Sequence, residues 1–248
     1  MKLPVVEMFV TIQGEGSRMG VPSLFIRLGG CSLACPGFGY EVVKNGKKYV
    51  GCDSIHAVNQ DFSDGWDFYD NHLAILEKIL ELDTLFEDVV ITGGEPMIHY
   101  QNLIFINLIN VLIKKHSIHV ETNGTIPIDF NKYPLYKDLN LTISPKMKIS
   151  GESESRRIRL NVLRSYISNA KTSVLKIVMG KMDILNPREI QNLLFQLKEN
   201  IPVYVMPLGA TQEELNYLSA SVWNFAKQNG YRFSDRLHIR SFNDKSRI

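Results

Sequence analysis

Asp88-Val89-Val90-Ile91-Thr92-Gly93-Gly94-Glu95-Pro96 opens as an apolar run of strand length and ends in two glycines, an acid and a proline. The stretch Asp88–Thr92 reads as a buried strand, and the residues after it read as the loop leaving its C-terminal end. Working outward, the same design recurs. Ser117–Glu121 runs into Thr122-Asn123-Gly124, and Leu139–Ser144 runs into Pro145-Lys146. Ser23–Leu28, Ser173–Met179, Pro202–Met206 and Arg236–Ser241 are further strand candidates. Helical patterns lie between them at Phe68–Leu82, Gln101–Lys115, Pro187–Glu199 and Gln212–Asn229. In the last of these, Leu215, Leu218, Val222 and Phe225 recur on one face. Pro187 suits a first helical turn, with Asn186 as its cap. Strand–helix alternation predicts an α/β protein with a parallel sheet, either doubly wound or curled into a full or partial barrel. In either case ligands gather at the C-terminal strand ends. Any one of the three polar loops is an ordinary turn by itself; three on one face predict a shared site.

The 248 residues are 44% apolar, ample for a core, and no Gly/Ser-rich linker or repeat divides residues 1–248. A single domain is expected. With 28 basic against 26 acidic groups, the charge balance gives no case for nucleic-acid binding. Neither an export signal nor a membrane span is expected: Pro4 and Glu7 interrupt the start, and Asn107 and Asn110 interrupt the most apolar helical run. A soluble, cytoplasmic protein is the resulting expectation.

All three cysteines fall in one segment, spaced Cys31-x3-Cys35-x16-Cys52. An odd, clustered set does not suit a disulfide framework; it suits a metal or cluster site in a reducing compartment. The long gap contains Val42-Val43-Lys44-Asn45-Gly46-Lys47-Lys48-Tyr49-Val50, two β-prone arms around Asn-Gly. That pattern predicts a hairpin insert at 36–51, entered through Pro36-Gly37-Phe38-Gly39, which would return Cys52 to Cys35. Two chemistries then stand open. With His56 the set can close a tetrahedral zinc site, which spacing alone slightly favours. Without it, three thiolates can hold a 4Fe–4S cluster with one open iron.

Four stretches bear on that choice: Gln13-Gly14-Glu15-Gly16, the Phe25–Cys35 run with its two cysteines, Cys52-Asp53-Ser54, and Gly93-Gly94-Glu95-Pro96. Together they resemble the radical S-adenosylmethionine superfamily, and within it the 7-carboxy-7-deazaguanine synthases, with support from Ser144-Pro145-Lys146. There are two departures. The superfamily usually spaces its cysteines CxxxCxxC, so the hairpin is read as inserted into that loop. Ser54 stands where threonine is usual, which keeps the hydroxyl.

The resemblance implies a partial TIM-type β/α barrel. It implies a 4Fe–4S cluster on Cys31, Cys35 and Cys52, and S-adenosylmethionine against Gly93, Gly94, Glu95, Ser144, Pro145, Lys146 and Lys176. Ser54 would ligate Mg2+, and Gln13, Gly14, Glu15, Arg27 and Thr92 would meet an anionic pterin, 6-carboxy-5,6,7,8-tetrahydropterin. Arg27 is well typed for its carboxylate. The implied reaction is a radical ring contraction to 7-carboxy-7-deazaguanine with loss of ammonia. A flavodoxin-like reductant and a homodimer come with the resemblance. A glycyl-radical activating enzyme and a non-catalytic Cys3His zinc module are the alternatives.

Other signals are read as ordinary. His72, His99, His116, His119 and His238 show no ligand spacing beyond His116-x2-His119, which straddles a helix end and a strand. Arg156, Arg157, Arg159 and Arg164, preceded by Glu152 and Glu154, read as a solvated, balanced face. Trp66 with Phe62, Phe68 and Tyr69 reads as core. The tail Ser241–Ile248 is expected to reach toward the substrate pocket or a second subunit.

Overall fold

The computed structural model describes residues 2–243 and 245; the rest of the tail, 244 and 246–248, lies outside the described residues. Its main sheet collects β1 (Leu3–Ile12), β2 (Pro22–Leu28), β5 (Asp67–Tyr69), β6 (Asp88–Gly93), β7 (Ser117–Thr122), β8 (Asn140–Ile143), β9 (Thr172–Met179), β10 (Val203–Pro207) and β11 (Arg232–Phe233). A separate hairpin pairs β3 (Tyr40–Lys44) with β4 (Lys47–Gly51), turning at Asn45 and Gly46, whose φ values are +50° and +75°. Two successive positive φ values form the tight turn that Asn-Gly favours.

The sheet order is β11-β10-β9-β8-β7-β6-β2-β1-β5. β2 and β6 to β11 are all parallel, and from β6 on each strand adds beside its predecessor without reversal. One-directional winding is the barrel pattern; a doubly wound sheet would reverse at a switch point. The ring stays open, with β11 and the antiparallel β5 as its two edges. The architecture is therefore a partial barrel.

The helices are α1 (Ile55–Val58), α2 (His72–Glu81), α3 (Leu103–Leu112), α4 (Glu154–Arg157), α5 (Leu160–Asn169), α6 (Lys181–Leu185), α7 (Arg188–Leu197), α8 (Gln212–Asn229) and α9 (Leu237–Phe242). Local chemistry sets their ends. Asn71 and Asn102 accept from Ala74 N and Ile104 N to start α2 and α3. Thr211 and Glu214 form a capping box on α8, and Gly230, at φ +68°, ends it.

Strand parity then divides the molecule. Leu24, Ile26, Val89, Ile91, Ile118, Val120, Leu141, Ile143, Leu175 and Ile177 point outward into the core with Phe105, Leu108, Leu163, Tyr166 and Val222. Residues of the opposite parity, among them Phe25, Arg27, Thr92, Glu121, Lys176, Val178 and Met206, line the concave side. Parity explains why a lysine stands in the apolar β9.

Two expected elements differ. Phe68 and Tyr69 belong to β5, paired with Pro4 and Leu3, and the helix begins only at His72. The expected strand Arg236–Ser241 is helix α9: Leu237 N donates to Gly14 O, Arg240 N to Arg236 O, and Ile239 is buried. One buried residue in a short segment fits a helical turn as well as a strand. The first strand β1, the short β11 and helices α1, α4, α5 and α6 have no counterpart among the expected elements.

At the N-terminal end of the sheet, Arg18 Nε donates to buried Asp88 Oδ2 at 2.6 Å, and its Nη2 reaches Glu87 at 2.7 Å. Removing the cation leaves the buried carboxylate with only His119, 3.4 Å away, so Arg18→Ala should lose about 1–3 kcal/mol of stability in urea unfolding. An unchanged midpoint would show that the pair contributes nothing.

Candidate active site

The concave face holds a cavity of about 1890 Å3. Gln13, Gly14, Glu15, Arg27, Cys31, Cys35, Cys52, Ser54, Thr92, Gly93, Gly94, Ser144, Lys146 and Lys176 line it; Glu95 and Pro145 do not.

The cysteines come from the long loop after β2. Tyr40 pairs with Gly51 across the hairpin, and Gly51 packs beside Ala34 O, so the insert folds back and returns the chain beside Cys35. All three thiols are free. Burial pushes Cys31 up to about 11 and Cys35 up to about 12, and it raises Cys52; Lys146 opposes the rise at each. A positively charged metal centre would reverse that balance and hold them as thiolates. Among the described residues, no three His, Cys, Asp or Glu side chains converge as ligands of one metal ion. A 4Fe–4S cluster asks for wider spacing, since each thiolate takes its own iron. His56 is exposed, with its ring edge-on to Phe62 at 4.7 Å. Three free thiols lining one cavity are the donor set of an open-site 4Fe–4S cluster.

The glycines beside the cysteines are there for clearance. A Cβ on Gly94 would collide with Gly30 O and Cys31 Cβ. Gly93 lies at φ +144° with its α-carbon against the Leu28 backbone. Gly94→Ala should therefore push Cys31 aside and lower the iron held per chain after anaerobic reconstitution, at a stability cost of about 1–3 kcal/mol. Full iron loading would mean the crowding is absorbed elsewhere.

Glu95 is fully buried and spends both oxygens on the chain. It accepts from Met97 N at 3.1 Å, Thr122 Oγ1 at 2.8 Å and Asn123 N at 2.6 Å. Burial raises its carboxyl, and those donors oppose the rise. Its visible work is to tie the β6 loop to the end of β7. Asn123 in turn donates to Ser32 Oγ at 3.0 Å, next to Cys31.

Across the cavity runs a line of alternating charges. Asp53 Oδ2 meets Arg236 Nη2 at 3.1 Å, and Arg236 Nε meets Glu15 Oε1 at 2.8 Å. Glu15 Oε2 meets Lys176 Nζ at 2.7 Å, and Lys176 lies 3.5 Å from Glu121 Oε1. Thr92 Oγ1 donates to Glu121 Oε2. Burial alone would raise Glu15, but Lys176 and Arg236 outweigh it and hold the carboxyl far below its ordinary range. Burial likewise opposes charge on Lys176, and Glu121 and Glu15 overcome it and raise the ammonium. Arg27 Nε donates to Glu7 at 2.7 Å across the β1–β2 pair. Gln13 Oε1 accepts from Glu15 N, and Ser54 lies 3.4 Å from Asp53 Oδ1. Lys146 Nζ reaches Ser144 Oγ at 3.3 Å.

Asp53, Glu121, Asn123, Arg236 and His238 line the same cavity; Glu121, Asn123 and Asp53 stood in stretches expected at the site but with no role assigned to them, and Arg236 and His238 were not expected there. Glu121 and Asn123 were within reach, in the polar strand-end loop after β7. Arg236 and His238 were hidden by reading α9 as a strand. His238 packs where a side chain on Gly14 would stand.

Residues 12–167 match the family described as a 4Fe-4S single cluster domain. The 7-carboxy-7-deazaguanine synthase of Rickettsia prowazekii is 31% identical over 96% of this chain and 87% of its own. The chain belongs to the 7-carboxy-7-deazaguanine synthase family. The Halobacterium salinarum synthase is 29% identical over 98% of this chain and 91% of its own. The crystal structure of QueE from Escherichia coli superposes with a TM-score of 0.69 at 25% identity, covering 96% of this chain and 95% of that one. Membership in the synthase family sets aside both the glycyl-radical activase and the zinc module. No helix among the described residues is long and apolar enough to cross a membrane.

Proposed function

We propose that the concave face converts 6-carboxy-5,6,7,8-tetrahydropterin to 7-carboxy-7-deazaguanine with loss of ammonia. The observation that carries the reading is the placing of three free cysteines and a buried charge array on one cavity of a synthase-family barrel. Cys31, Cys35 and Cys52 would hold a 4Fe–4S cluster. When bound, that cluster supplies the electron that cleaves S-adenosylmethionine to a hydrogen-abstracting radical.

The chain's own work is to bind, orient and shield. Gly93 and Gly94 let the methionine end approach the β6 loop, and Ser144 with Lys146 takes the adenosyl side. Arg27, steadied by Glu7, recognises the pterin carboxylate. Glu15, Thr92 and Lys176 present fixed donors and acceptors to the ring, and Gln13 with Gly14 shapes its floor. Ser54 would offer its hydroxyl to a Mg2+, which would supply charge stabilisation for the substrate carboxylate. A flavodoxin-like reductant, a homodimer and a cytoplasmic setting belong to the same proposal; three free thiols suit a reducing compartment.

Anaerobic incubation with the carboxy-pterin, S-adenosylmethionine and dithionite tests it by mass spectrometry. The expected result is the deazaguanine acid with ammonia. Recovery of unchanged pterin from cluster-loaded protein would refute the reading.

A further inference from the structure

The segment after β8 does something its sequence conceals. Expected as a solvated face, it is in part buried: Glu152 is 8% exposed and Arg157 4%. Glu152 Oε1 accepts from Ala34 N at 2.6 Å and from Cys35 N at 3.0 Å. Glu152 Oε2 meets exposed Arg156 at 3.0 Å, and Arg156 also donates to Ser32 O. Arg157 donates to Glu152 O and Lys146 O and pairs with Glu189 at 2.6 Å, anchoring the clamp from behind. Beside it, Gly37 and Gly151 pack backbone to backbone.

Two physical consequences follow. Cys35 sits at φ +50°, a conformation few residues other than glycine adopt, and the bond from its own N–H to Glu152 holds it there. N–H groups near a ligand cysteine commonly donate to cluster sulfur, and such bonds favour the reduced, more negative state. Here two of them are turned into a carboxylate. Arg156 closes the carboxylate's other oxygen at 3.0 Å, so Glu152 meets three donors.

We infer that Glu152 is a positioning residue that both fixes the Cys35 loop and lowers the reduction potential of the cluster. The inference rests on Cys31, Cys35 and Cys52 being the cluster ligands. A strongly reducing electron is what sulfonium cleavage requires, so a carboxylate aimed at a ligand's backbone has a use there. Glu152→Gln keeps the acceptor oxygen and removes the charge, whereas Arg156→Gln removes the opposing charge from a more exposed place.

Potentiometric EPR titration of the reconstituted variants, with iron and sulfide counted, separates these effects. Glu152→Gln should make the cluster about tenfold easier to reduce, ~59 mV upward for one electron, at unchanged iron content. Arg156→Gln should shift it the other way by a smaller factor. A purely structural clamp would change iron content and leave the midpoint in place, which would overturn the inference. If Glu152→Gln fails to load, the Arg156→Gln midpoint decides: a downward shift supports the inference and no shift refutes it. A Cys35→Ala protein that still carries a full cluster would instead overturn the ligand reading beneath it.

Discussion

Replacing Cys31, Cys35 or Cys52 with alanine is expected to abolish product formation and the cluster's broad visible absorbance together, while the protein stays folded. The three thiols lie on a loop outside the main sheet, and none of them is paired with another. Their loss therefore costs the core little packing. What it removes is one of three anchors for a group that cannot be held by two thiolates and an exposed ring such as His56. Cys52 is the most telling of the three, because it reaches the cavity only through the β3–β4 hairpin. Circular dichroism, iron content and turnover, measured on each variant, check the expectation. A Cys52→Ala protein with full iron and normal turnover would remove the hairpin's purpose as well as the ligand.

The second large effect is expected from Lys176→Met. The substitution preserves length and apolar contact but removes the cation between Glu15 and Glu121. Two half-buried carboxylates then stand on the cavity wall without the cation between them, which should cost about 1–2 kcal/mol. Turnover should fall by about 100-fold as the array loses its geometry, and Lys176→Arg should recover part of it. The pH response gives an independent check. A carboxyl held below its ordinary 4.5 adds stability above that value and loses it as pH falls through the folded pKa. In the wild type Glu15 should thus stay charged through mild acid. In Lys176→Met the folded carboxyl moves back up toward or past its ordinary value, so that variant should lose less stability on acidification than the wild type. Equal acid-unfolding curves for the two proteins would mean Lys176 does not set Glu15.

The barrel was legible because its parallel strands β2 and β6 to β10 are apolar runs bounded by loops, and polar residues mark their C-terminal ends. The elements that escaped notice are those without such a signature. β1 carries Pro4 inside the strand and is mostly half-buried at the rim, so no clean alternation marks it. β5 and β11 have three and two residues, too few for a periodicity to show. In α9 the alternation of Leu237 and Ile239 suggested a strand, yet the backbone bond from Leu237 to Gly14 lies more than two hundred positions away in the chain.

The same distance limit governs the cavity. Lys176 stood out locally, as a lysine in an apolar strand. Arg236 became visible only when α9 brought it against Glu15. Glu152 and Arg157 carry no motif at all; their charges looked balanced by neighbours, whereas their partners lie on the cysteine loop and at Lys146 and Glu189. Charge pairing between remote segments is decided by tertiary structure, and a linear reading assigns such residues to solvent by default.

The EPR spectrum of the dithionite-reduced protein, recorded anaerobically before and after adding S-adenosylmethionine, tests most directly whether this cavity holds an open-site cluster. The predicted result is a one-electron-reduced 4Fe–4S signal whose g values shift when S-adenosylmethionine binds, and which is absent from Cys52→Ala. A protein that binds zinc in place of iron, or a cluster signal indifferent to S-adenosylmethionine, would contradict it.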